Sequence, residues 1–176
     1  MKKLLCVLAG MIGLAGCGSV EVQRYAGEQP VLDLREYFNG TLDAHGIFQD
    51  RSGEVVKRFH VLIEASWQGD VGTLDEHFTY SDGTTQRRVW TITRHDSGGY
   101  TGTAGDVVGE ARGEAAGNAL RWRYVLALPV GDKVYNVDFD DWMFLMDDRV
   151  MLNRSVMSKF GVRLGEVTLS FYKRDA

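Results

Sequence analysis

From Gly40 onward the chain alternates apolar and polar residues with a period of two, almost to its C-terminus. Phe59, Val61, Ile63, Ala65 and Trp67 share one parity and Arg58, His60, Glu64 and Ser66 the other, as a half-buried strand requires. Leu74, Phe78 and Tyr80 alternate with Asp75, His77 and Thr79, and Ser81-Asp82-Gly83-Thr84 follows. An Asp-Gly pair between alternating runs marks a hairpin, because glycine tolerates the positive φ of the turn, and the return strand falls over 85–94. A second pair is predicted over 100–109 and 118–128, where Leu120, Trp122, Tyr124, Leu126 and Leu128 form one face and Pro129 stops the strand. Gly131-Asp132 turns the chain into 133–140, and further strands fit 142–146, 150–157 and 167–173.

Short strands regularly separated by turn residues favour an antiparallel sandwich or barrel over an α/β arrangement. The expected fold is therefore all-β: a single antiparallel, lipocalin-like β-barrel of about 8–10 strands, in the size range that encloses one small ligand. Closure removes strand edges that would pair between neighbouring molecules. An integral outer-membrane barrel fits less well, since charged residues lie within many strands and no continuous apolar outer band is visible.

The start of the chain carries an address. Lys2 and Lys3 precede an apolar run from Leu4 to Leu14, and Leu14-Ala15-Gly16-Cys17 ends it, the pattern of a bacterial lipoprotein signal. Cleavage falls before Cys17, whose thiol and new amine take lipid. The run is shorter than the roughly 20 residues of a membrane-crossing helix. Residues 1–16 thus read as a cleaved signal helix, 17–30 as a lipidated tether closed by Pro30, and 31–176 as the barrel domain. Gly18 stands where an Asp commonly retains lipoproteins in the inner membrane, so the expected location is the cell envelope, at the outer membrane facing the periplasm. Asp33, with Glu36 three residues later and Leu34, Tyr37 and Phe38 as an apolar stripe, predicts a short N-terminal helix ended by Asn39-Gly40.

Without its signal the chain keeps 160 of its 176 residues, enough for one domain and one core. Its 20 basic residues fall to 18 against 24 acidic ones. Arg87-Arg88 and Lys173-Arg174 are isolated pairs, so a nucleic-acid partner is not expected. Cys6 leaves with the signal and Cys17 carries lipid, which excludes disulfide, metal-thiolate and cysteine-nucleophile chemistry in the mature domain.

Catalytic motifs are missing. The glycine-rich stretch 98–117 has no Lys-Ser or Lys-Thr ending and is no P-loop, and neither HExxH nor a Gly-x-Ser-x-Gly elbow occurs. His45, His60, His77 and His95 are scattered without metal-ligand spacing. No metal, cofactor or enzymatic activity is expected. Two acidic sites stand out. In Asp140-Asp141-Trp142-Met143, adjacent carboxylates on a strand point oppositely, so one turns inward beside Arg154 or Lys159, or the pair marks a bend with solvated acids, the reading preferred here. Glu76 shares parity with Leu74, Phe78 and Tyr80, and Arg87 or Arg88 on the return strand is placed to pair with it. Trp67, Trp90, Trp122 and Trp142, with Phe59, Tyr80 and Tyr124, either fill one core, the default, or line a cavity.

Several segments together resemble the DUF3833 family of bacterial lipoproteins: 38–42, 46–51, 72–76, 80–83, Gly117-Asn118, 140–143 and Lys159-Phe160-Gly161. The resemblance implies a lipid-anchored protein with a lipocalin-like domain and no assigned catalytic residues. It also directs the ligand expectation toward lipid, because enzymes of lipid modification are common genomic neighbours of the family. The functional expectation is a non-enzymatic envelope lipoprotein that binds or presents a small apolar ligand such as a fatty acid or lipid. Glu76, Arg88, Trp90, Trp122, Tyr124, Asp141, Trp142 and Arg154 are the candidate ligand-binding residues, and Cys17 is the lipidation site. The alternative is an envelope interaction or assembly protein whose barrel is solid.

Overall fold

The computed structural model describes residues 19–96 and 98–175. The signal segment and Cys17 lie outside the described residues. A 3-10 turn, Val22–Tyr25, and a one-turn helix α1, Leu34–Tyr37, precede the strands. Then come β1 (Gly40–Asp50), β2 (Val55–Gln68), β3 (Val71–Tyr80), β4 (Thr85–Arg94) and β5 (Gly99–Thr103). The second half is β6 (Ala111–Ala116), β7 (Ala119–Val130), β8 (Lys133–Leu145), β9 (Val150–Lys159) and β10 (Val162–Lys173). Every strand pairs antiparallel with its neighbours in sequence and β10 returns to β1, closing an up-and-down barrel. The all-β barrel read from the period-two pattern is the fold observed.

Two expectations are corrected. Residues 133–146 do not divide at Asp140-Asp141: β8 runs through both, with Asp140 opposite Arg123 and Asp141 opposite Trp122. The acids sit in a continuous ladder and not at a bend, because each finds a partner on its own side of the sheet. The strand expected over 100–109 ends at Thr103, and β6 forms further on, inside the glycine-rich stretch.

One end of the barrel is closed. The Asp33 carboxylate accepts from the Arg35 amide at 2.8 Å, so the helix cap forms, over a single turn. Leu32, Leu34, Tyr37 and Phe38 are buried together with Leu42, Ile63, Met151 and Phe171 in the main core. Each such apolar side chain contributes about 1.5–3 kcal/mol on burial. Polar groups hold the plug in place: Tyr37 Oη donates to the Arg149 carbonyl at 2.9 Å and Trp67 Nε1 to the Phe38 carbonyl at 2.8 Å. The Leu32 amide donates to the Gly117 carbonyl at 2.8 Å.

Residues 19–30 are more ordered than a tether. Val22 is only 2% exposed, and the Tyr25 ring meets Trp142 and Phe144 edge-on at 5.9 and 5.2 Å. This segment therefore lies along the outer wall of β6, β7 and β8, near the closed end. Elsewhere the outer wall carries ion pairs such as Arg87–Asp75 at 2.6 Å and Arg121–Asp140 at 2.7 Å. Such a face suits water and not a hydrocarbon band. Among the described residues no helix is long and apolar enough to cross a membrane.

β5 and β6, five and six residues long, are too short to cover β4 and β7, with ten and twelve. The notch this leaves toward the other end is spanned by residues 104–110. There the Val108 amide donates to the Val125 carbonyl and the Ala127 amide to the Asp106 carbonyl, both at 2.8 Å.

Candidate functional site: a hollow barrel with an acidic belt

Ten strands make a wider tube than eight, because barrel diameter grows with strand number. The plug at 32–38 fills one end, and beyond it lies a cavity of about 1300 Å³. That exceeds the roughly 300–1,000 Å³ of ordinary small-molecule sites. Phe59, Tyr80, Trp90, Trp122 and Tyr124 therefore line a space and do not fill one, which overturns the default expectation of a solid core, while Trp67 and Trp142 are not part of the lining. Leu120, Trp122, Tyr124, Leu126 and Leu128, the face read from β7, all line it. The mouth lies at the hairpin tips opposite the plug, where Thr84, Val130, Val134 and Leu164 line the opening. Val130, Val134, Phe160 and Val162 are exposed around it, Phe160 at 90%.

Below the mouth, where Lys57, Gln86 and Lys159 join the lining, the wall is apolar except for one belt. Glu76 from β3, Arg88 from β4, Asp141 from β8 and Asn153 and Ser155 from β9 all line the cavity, joined by Asp106 from the 104–110 segment. Arg88 gives Nε and Nη2 to the Asp106 carboxylate at 2.9 and 2.8 Å, while its Nη1 stands 3.7 Å from Glu76 Oε2. That Glu76 oxygen has no hydrogen-bond donor. The Glu76 side chain, 14% exposed, lines the cavity, and its unpartnered Oε2 is buried in the wall. Asp141, 6% exposed, receives the Ser155 hydroxyl on one oxygen and, at 3.4 Å, the Tyr124 hydroxyl on the other.

Burial sets the ionisation of this belt. Removal from water pushes the Glu76 carboxyl up to about 7; Arg88 opposes the shift and Asp106 adds to it. Burial likewise pushes Asp141 up to about 7, against the Ser155 hydrogen bond and with help from the Asp140 charge. Burial also raises Tyr124, and Asp141 reinforces it. For Arg88, burial works to lower the value, but the Asp106 hydrogen bonds and the Glu76 charge outweigh it, and the guanidinium stays charged.

Among the candidate residues, Glu76, Arg88, Trp90, Trp122, Tyr124 and Asp141 converge on the cavity. Trp90 packs edge-on against Trp122 at 5.8 Å and Tyr124 at 5.4 Å. Two candidates face outward. Trp142 stacks on Phe144 beneath Arg121, and Arg154 pairs with Glu166 on the outer wall. Neither Arg154 nor Lys159 reaches Asp141; Lys159 Nζ donates to the Asn136 carbonyl at 2.8 Å. Of the two arginines weighed for Glu76, Arg88 lies beside it and Arg87 takes Asp75 outside.

Sequence reasoning missed Asp106, Asn153 and Ser155. The last two share parity with the buried Met151 and Met157, and that signal was there to be used. Asp106 lies in an irregular segment, where parity says nothing. On the outer wall Glu64, Asp75 and His77 bring ligand-type atoms within 4.8 Å of one another. Arg87 already grips both Asp75 oxygens, at 2.8 and 2.6 Å, so this is an ion-pair cluster.

The family model DUF3833, described as a protein of unknown function, matches residues 11–173. The chain belongs to the DUF3833 family. No curated protein matches this DUF3833 chain. Among solved structures, it is similar to the S-type phycobiliprotein lyase CPES from Guillardia theta, with a TM-score of 0.59 and 7% identity over 89% of this chain and 99% of that one. A de novo designed fluorescence-activating β-barrel aligns with a TM-score of 0.45 and 13% identity over 81% of this chain and 99% of the design. At such identity the lyase likeness shows a shared lipocalin-like barrel fold.

Proposed function

We propose that this DUF3833 protein is an envelope lipoprotein, anchored through Cys17 at the outer membrane and facing the periplasm, whose barrel binds an apolar ligand such as a fatty acyl chain or lipid. The observation that carries this reading is the cavity of about 1300 Å³, apolar on most of its wall, plugged at one end and open at the other. Burial of apolar ligand surface contributes about 25 cal/mol per Å², and the polar belt orients one end of the guest. The volume favours an occupant larger than one slender chain. The rival, an assembly protein with a solid barrel, loses its structural premise to the hollow interior. The 7%-identical lyase supports only the fold beneath this proposal.

The test is lipid mass spectrometry on the purified full chain, together with titration of a fluorescent acyl probe. Wild type is expected to carry lipid and to bind the probe, and Leu169→Trp, at a half-buried lining position, is expected to weaken probe binding about tenfold by occupying space. A lipid-free protein that ignores the probe would remove the proposal.

A further inference from the structure

We infer that the cavity is built for an amphiphile whose polar end is an amine or another hydrogen-bond-donating cation, and not for a carboxylate or phosphate headgroup. This rests on the ligand-binding reading above and says which chemistry the belt selects.

Three carboxyls, Glu76, Asp106 and Asp141, meet a single guanidinium, Arg88, in the belt. Arg88 is not available to a ligand anion, because two of its nitrogens already form a fork on Asp106 and a third faces Glu76. Bidentate pairing of that kind is the strongest use of a guanidinium, and a ligand carboxylate would have to break it. The other cations of the lining sit toward the mouth and are engaged: Lys57 with Asp82 at 2.9 Å and Lys159 with the Asn136 carbonyl.

The unmet need is for donors. One Glu76 oxygen has none, and Asp141 has only the neutral hydroxyls of Ser155 and Tyr124. A buried carboxylate is expensive to ionise without a cation of its own; Asp141 has none, and Glu76 shares Arg88 with Asp106, so a ligand ammonium placed between β3 and β8 would supply the charge the belt lacks. An incoming carboxylate would instead add a negative charge beside three acids.

Proton linkage follows from the same arrangement. The groups facing Glu76 and Asp141 are Arg88, Asp106, Tyr80, Tyr124, Ser155, Asn153 and Trp90, while Asp75 and Asp140 point outward to Arg87 and Arg121. Burial favours the protonated forms of both acids near neutrality. An ammonium that pairs with them displaces those protons and binds more tightly as pH rises, since an alkylamine with a lysine-like pKa of about 10.4 stays charged throughout.

Three probes of equal chain length, dodecylamine, dodecanol and dodecanoate, titrated below micelle-forming concentration into the full chain, test the idea. Dodecylamine is expected to bind about tenfold more tightly than dodecanoate at pH 7.5, with an advantage that grows from pH 5.5 to 8. Glu76→Gln and Asp141→Asn should each reduce that advantage and flatten its pH dependence; the wild-type pH series stands alone if either variant fails to fold. Dodecanoate binding as tightly as the amine, or a preference unchanged by pH, overturns the inference and leaves the apolar-ligand proposal standing. If none of the three binds, both fall.

Discussion

Glu76 and Asp141 make the stability of the protein depend on pH in an unusual direction. Their ordinary values are 4.5 and 3.8, and in the folded barrel both stand at about 7. Between those limits the folded state holds more protons than the unfolded chain, so these groups cause stability to fall as pH rises from about 4 to about 7. Carboxylates on the outer wall act oppositely: Arg174 holds Asp43, and Arg87 holds Asp75, below the usual range, a contribution lost as pH falls. Glu76→Gln should therefore gain stability relative to wild type between pH 5 and pH 8, by an amount on the order of 3 kcal/mol. Urea melts at four pH values check it, and a difference that stays flat with pH contradicts it. At this scale strand parity decided what could be read. It placed Glu76, Trp122 and Tyr124 on the inner face, but neighbouring residues cannot both point inward, so Asp141 and Trp142 competed for one direction. Packing of Trp142 against Tyr25, from a segment with no period of its own, settled the contest, and no local pattern announces such a contact.

Among the elements, the inward-facing glycines explain both a misreading and a fragility. Gly46 lies opposite Phe59, Gly72 opposite Trp67 and Gly113 opposite Trp122, and in each pair the ring covers the bare glycine. A Cβ at Gly113 would stand 2.3 Å from the Trp122 ring, while one at Gly105 meets nothing within 4 Å. Gly113→Ala is expected to destabilise by about 1–3 kcal/mol, through overpacking against a ring that is 4% exposed, and to shift tryptophan emission. Gly105→Ala should stay within about 0.5 kcal/mol of wild type. Thermal melts of the pair separate the two cases, and equal behaviour would mean that Trp122 does not press on β6. In the sequence a glycine marks a turn and a close approach with the same letter. The stretch 98–117 therefore read as one strand over 100–109 with no strand beyond it, although β5 ends at Thr103 and β6 runs from Ala111, whereas the Asp82-Gly83 hairpin between two strongly alternating strands was unambiguous.

For the molecule as a whole, the barrel was legible because most of its wall repeats one simple rule, whereas hollowness was not. A ring of aromatic residues has the same pattern whether it closes on itself or surrounds a guest; strand number and the plug decide, and both are properties of the closed sheet. Leu34 shows how much hangs on the plug, being 2% exposed and part of the cavity floor at once. Leu34→Ala is expected to cost about 2–5 kcal/mol, seen as a lower urea midpoint with an unchanged slope, and to loosen acyl-probe binding. Loss of stability without any change in binding would show that the floor does not shape the cavity.

The packing of residues 22–25 against the wall near that floor fixes where the N-terminal segment meets the barrel. Under the proposed anchorage through Cys17, the attachment would meet the barrel through Val22, on its flank at the blind end. A molecule so held would stand like a cup fastened near its base, its lip turned from the surface that holds it, and the ligand proposed above would change hands at the distal pole.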